Sequence, residues 1–204
     1  MKQIGTQTME KIFSKAYAAQ MENQHDLALE LYSKAIELDS DTAVVYNNMG
    51  NSYSSKKDYD KAIAHYEKAI ELSPDYADAY FNMGLVYNSK EDYDKAIEFF
   101  KKTVELKPDY IKANSNIGFA YFQKKDYYKT IEFLNRVLEI EPNRAGTNCN
   151  IGNAYLEKKD YNKAIEYFEK ALELDPDISP PPYQQLSRAY KKIGCPRPAA
   201  KEEF

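Results

Sequence analysis

Apolar residues recur along this chain at the spacing of helices. Tyr46, Met49, Gly50 and Tyr53 stand at i, i+3, i+4 and i+7, which makes one buried stripe. After the polar segment "KKDYD", Ala62, Ile63, Tyr66, Ala69 and Ile70 make a second. The segment between them ends one helix with Lys56 and Lys57 and opens the next with Asp58 and Asp60. Cations at a helix C-terminus and carboxylates at an N-terminus both suit the macrodipole. Pro74, Pro108, Pro142 and Pro176 each stop a second helix and fit the start of the one that follows. The pattern predicts an all-α chain built of helix pairs.

The pairs are copies of one another. Ala28, Ala62, Ala96, Thr130 and Ala164 lie 34 residues apart, within similar text from "DLALELYSKAIELDS" to "NKAIEYFEKALELDP". A helical pattern of that period points to a helix–turn–helix unit stacked on its own copies. Small residues (Gly50, Ala62, Ala69) fall where two helices have to approach closely.

Tyr46, Met49, Gly50, Tyr53, Ala62, Tyr66, Ala69 and Pro74 together resemble the tetratricopeptide repeat signature, with Tyr for the usual Trp. The next unit matches with Tyr80, Met83, Gly84, Tyr87, Ala96, Phe100 and Pro108. The one after keeps Ile117, Gly118, Tyr121 and Pro142 but carries Asn114, Thr130, Leu134 and Val137. The last has Ile151, Gly152, Tyr155, Ala164, Phe168, Ala171 and Pro176, with Asn148 in first place. The resemblance implies a helical-hairpin repeat solenoid wound as a right-handed superhelix. It divides the chain into an N-terminal extension (1–8), a divergent first repeat (9–42) and repeats at 43–76, 77–110, 111–144 and 145–178. A C-terminal capping helix (179–194) and a tail (195–204) follow. The family often places Gly in the turn between helices. Lys57, Glu91, Lys125 and Lys159 stand there instead, at about 1 kcal/mol each if that position is left-handed.

One column has no packing use. Asn48, Asn82, Asn116 and Asn150 recur at the same period, although Asn is a mediocre helix former. On a helical wheel Asn48 falls about 200° from Tyr46, opposite the apolar stripe. The resemblance implies that first helices line a concave face, and in some family members a similar asparagine ladder grips peptide backbones. An amide both donates and accepts, so a row of them could hold the main chain of an extended peptide. Asn51 and Asn153 would join the row, and Phe81, Phe119, Phe122 and Lys112 would select side chains. A merely solvated polar face is the alternative. Chaperone-adaptor members hold a C-terminal carboxylate with a clamp of cations and amides. Asn51, Asn82 and Lys112 match it, whereas Asn47 and Asn116 replace two cations, which weakens any carboxylate bond.

Composition narrows the remaining options. A net charge of −4 leaves no basic excess for a nucleic-acid partner. No apolar window is long enough to insert into a membrane, and the N-terminus lacks the apolar core of a signal peptide, so a cytoplasmic location is expected. The two histidines, His25 and His65, fall far apart in the repeat pattern. Cys149 and Cys195 lack metal-ligand spacing. There is no phosphate loop and no nucleophile with a base nearby, so neither an enzyme nor a cofactor is expected. The function expected is protein–protein interaction through an extended segment of a partner. The alternative is a scaffold that assembles with itself, as a homo-oligomer, through its terminal repeats.

Overall fold

The computed structural model describes residues 2–38 and 42–194, with side chains from residue 8 onward. The predicted tail at 195–204 lies outside them. Eleven α-helices and no strands occur among the described residues. They run α1 (Lys2–Met21), α2 (His25–Leu38), α3 (Ala43–Ser55), α4 (Tyr59–Leu72), α5 (Ala77–Ser89), α6 (Tyr93–Leu106), α7 (Ile111–Gln123), α8 (Tyr127–Ile140), α9 (Ala145–Glu157), α10 (Tyr161–Leu174) and α11 (Tyr183–Lys192). Each odd-numbered helix up to α9 packs against the even one after it. The fold is an all-α stack of helical hairpins. It comprises two compact units, residues 1–108 and 109–204. α1 begins at Lys2, so it takes in most of the stretch read as an extension.

The four hairpins from α3–α4 to α9–α10 are each closed by two capping devices that share a residue. Lys57 is left-handed at φ 61°. Its N–H donates to the Ser54 carbonyl at 2.8 Å, and the Asp58 N–H donates to the Tyr53 carbonyl at 3.0 Å. This pair of bonds is the Schellman closure. Asp58 then caps α4, its carboxylate accepting from the Lys61 N–H. Glu91, Lys125 and Lys159 repeat the geometry at φ 59°, 60° and 64°, with Asp92, Asp126 and Asp160 as the caps.

The core of a hairpin is a glycine under a ring. A Cβ built on Gly50 would lie 2.4 Å from Cε1 of Tyr66, so the side chain is excluded by the ring above it. Phe100 sits over Gly84 and Phe168 over Gly152 in the same way. Beside this contact a second aromatic pair stacks, with a lysine over it. Tyr53 lies 5.2 Å from His65, Tyr87 5.3 Å from Phe99, and Tyr155 5.5 Å from Tyr167. Lys61, Lys95 and Lys163 stand 4.9–5.3 Å from the tyrosine centroids, within cation–π range.

Latches join successive hairpins inside each unit. Lys56 pairs with Asp26, and Lys90 pairs with Asp60 at 3.0 Å. At the same place in the second unit Tyr128 replaces the acid. The Lys158 ammonium lies 3.6 Å from its ring centroid, so a cation–π contact takes over from the ion pair.

Candidate functional site

In the first unit the amide column points into the stack. Asn47 and Asn48 are buried, with 4% and 8% of their surface exposed. The Asn82 amide donates to Asn47 Oδ1 at 2.9 Å, linking α5 to α3, and Asn47 in turn donates to Asn48 Oδ1 at 3.5 Å. Asn51 accepts from the Tyr66 hydroxyl at 2.8 Å. Burial raises the Tyr66 phenol well above its usual range, so it stays a donor. Asn48 therefore does not stand on an open face as the wheel placed it. A helical wheel assumes one packed side, whereas α3 is contacted by α4, α2, α5 and α1. Phe81 requires the same correction: it is 8% exposed, its ring 5.6 Å from Phe100, and is core rather than anchor. Asn51 and Asn82, two of the three residues matching the carboxylate clamp, are thus engaged within the protein.

The second unit is different. Lys112 is exposed, and its carbonyl accepts from the Asn116 amide at 2.8 Å along α7. Asn116 thus satisfies its donor locally. Phe119 is 45% exposed. Phe122 is half-buried, its ring meeting Tyr127 nearly edge-on at 5.5 Å. Asn150 is exposed and Asn153 half-buried, and neither side chain makes a hydrogen bond among the described residues.

These side chains border two cavities. The smaller, of about 180 Å³, lies between α7, α8 and α9. Gly118, Phe119, Phe122 and Leu134 line it together with the uncharged polar residues Ser115, Gln123, Thr130, Asn150 and Asn153. The larger, of about 770 Å³, is polar and open and runs toward α11. It shares Ser115, Asn150 and Asn153 with the first, and Gln185 lines its far side. The Gln185 Oε1 atom is buried without a hydrogen-bond partner. Gly146 borders the same cleft, and a Cβ added there would meet nothing within 4 Å. Of the sequence-selected residues, Phe119, Phe122, Asn150 and Asn153 come together here. Ser115, Thr130, Leu134 and Gln185 were not selected from the sequence. Thr130 and Leu134 were visible in it only as departures from the repeat signature.

The site offers binding groups rather than reactive ones. Burial pushes the Cys149 thiol up, away from the reactive thiolate. Among the described residues no cluster of three or more His, Cys, Asp or Glu could hold a metal ion. No helix there is long and apolar enough to cross a membrane.

Family models described as tetratricopeptide repeat match residues 11–74 and 41–109, residues 87–146 and residues 147–178. No curated protein matches the chain. Among solved structures, MamA is 23% identical with a TM-score of 0.75, over 84% of this chain and 93% of its own. YrrB, a TPR protein described as having an unusual peptide-binding site, is 26% identical with a TM-score of 0.71. That match covers 94% of this chain and all of YrrB. PilF of Pseudomonas aeruginosa is 14% identical with a TM-score of 0.77, over 93% of this chain and 87% of its own.

Proposed function

The chain belongs to the tetratricopeptide repeat family, and from that premise we propose that it binds an extended segment of a partner protein in the cleft of its second unit. One observation carries the reading. Asn150 and Asn153 line both the small uncharged pocket and the larger polar cleft, with their side-chain amides uncommitted. A buried polar group without a partner is costly, and Gln185 Oε1 adds an acceptor beside the same cleft. An extended peptide offers alternating N–H and C=O groups to such amides without demanding a particular sequence. The description of YrrB as a peptide-binding TPR protein agrees with this use of the fold.

Among the four ladder asparagines, the reading gives unequal roles. Asn48 and Asn82 knit hairpins together, Asn116 bonds its own helix, and Asn150 is the member that meets the ligand. The test is selection of random octapeptides displayed on phage against the intact chain, followed by fluorescence anisotropy of the selected peptides. Loss of two amide bonds in an Asn150→Ala, Asn153→Ala variant is worth about 1–3 kcal/mol, so affinity should fall about five-fold or more. Unchanged affinity in that variant would remove the amides from the account.

A further inference from the structure

The smaller cavity has a specific origin. In the hairpins of α3–α4, α5–α6 and α9–α10 the space over the first-helix glycine is filled by Tyr66, Phe100 and Phe168. In α7–α8 it is covered by Leu134, whose Cδ2 lies 2.9 Å from a Cβ built on Gly118. A leucine in place of a ring leaves unfilled volume, and that hairpin is the one beside which the 180 Å³ pocket opens. The Thr130 hydroxyl donates to the Asp126 carbonyl at 3.0 Å, so it makes no demand on an occupant.

We infer that this pocket is a subsite for one large, uncharged, apolar side chain of the bound segment, of phenylalanine or leucine size. The inference rests on the peptide-binding reading above and adds the class of residue recognised. Three observations lead to it. No charged residue lines the pocket, so a charged side chain would enter without a partner. A cavity of about 150 Å³ is large enough for a benzene ring, so the roughly 180 Å³ here suits a single side chain, not a helix, and Phe119, Phe122 and Leu134 give it an apolar side. Ser115, Asn150 and Asn153 stand at the pocket and at the polar cleft alike. The occupant is therefore attached to a chain whose peptide groups continue along that cleft. Phe119 and Phe122 supply aromatic walls, as anchor pockets at interfaces commonly do.

The peptides selected by display on the intact chain provide the probe. They are expected to share one Phe, Leu or Met, and its replacement by Ala should cost about ten- to a hundred-fold in affinity. Leu134→Phe restores the ring found in the other hairpins, so it should fold with unchanged or higher Tm while filling the pocket. On that variant the anchor-bearing peptide and its Ala version should bind alike, which is the signature of coupling between the two positions. Phe119→Ala, at an exposed wall, should weaken only the anchor-bearing peptide. Selected peptides without a common apolar position, or an anchor effect that survives Leu134→Phe, would overturn the subsite. The Asn150→Ala, Asn153→Ala variant separates the two readings. If it weakens both peptides while Leu134→Phe changes neither, the cleft binds peptide and the pocket does not.

Discussion

Lys57, Glu91, Lys125 and Lys159 hold a conformation that suits glycine, with φ between 59° and 64°. The left-handed region crowds Cβ against the following carbonyl, at roughly 1–2 kcal/mol, partly offset by the larger entropy a glycine loses on folding. Replacing any one of them by Gly should raise stability by a few tenths to about 1 kcal/mol, read as a higher urea midpoint. A lower midpoint would show that the side chain has a use the backbone does not reveal. Asn23, at φ 60° in the first turn, is better suited to the region and should gain less. The first-helix glycines should respond unequally. Gly50→Ala drives a methyl into the Tyr66 ring, which is fixed in the core, at a cost of about 1–3 kcal/mol. Gly118→Ala meets Leu134 at Cδ2 and Cγ, both 2.9 Å away, with the Thr130 carbonyl at 3.5 Å, but the leucine borders a cavity into which it can shift. The better helix propensity of Ala, about 1 kcal/mol, should then offset much of the clash. Equal losses in thermal unfolding would mean that Leu134 is as immobile as the rings.

At the scale of the element, the four hairpins from α3–α4 to α9–α10 repeat a tyrosine stacked on a second-helix ring, and α3–α4 uses His65 for that ring. His65 lies between Tyr53 at 5.2 Å and Tyr46 at 6.1 Å, and burial lowers its pKa below the usual histidine value. The unfolded chain therefore binds the proton more readily than the folded one. The stability from neutral His65 is fully present above about pH 6.5 and is lost as pH falls toward the folded pKa. His65→Phe, which copies Phe99 of the next hairpin, should abolish that component. The difference between wild type and variant in unfolding free energy should grow between pH 7 and pH 5. A constant difference would mean that His65 titrates alike in both states. Helix positions, turns and the stripe of each helix were legible in the sequence because they depend on neighbours within one hairpin. The fate of the asparagines was not. Asn82 donates to Asn47 from the next hairpin, and Asn48 is covered by neighbouring helices. Such burial depends on stacking across repeats, which a single-helix wheel does not contain. The pocket was half legible: Leu134 and Thr130 showed as breaks in the repeat, but their consequence required Asn150 and Asn153 from the following helix.

For the whole molecule the question is how far a local change travels. A repeat array is stabilised by contacts within each repeat and between nearest neighbours, so its energetics are nearly one-dimensional. The latches follow that rule, since Lys90 reaches Asp60 and Lys158 reaches Tyr128, each one hairpin back. The chain also comprises two compact units, residues 1–108 and 109–204. A lesion such as Gly50→Ala should therefore be felt mainly where it is made. Native-state hydrogen exchange reads this directly, because amides in a destabilised segment open with a lower free energy. Protection in α3 and α4 should fall by close to the full cost of the substitution, and protection in α9 and α10 by much less. Peptide affinity at Asn150 and Asn153 should then be nearly unchanged. Equal loss of protection in all four helices would show that the array unfolds as one cooperative body, and every substitution in the first unit would then lower binding through stability alone.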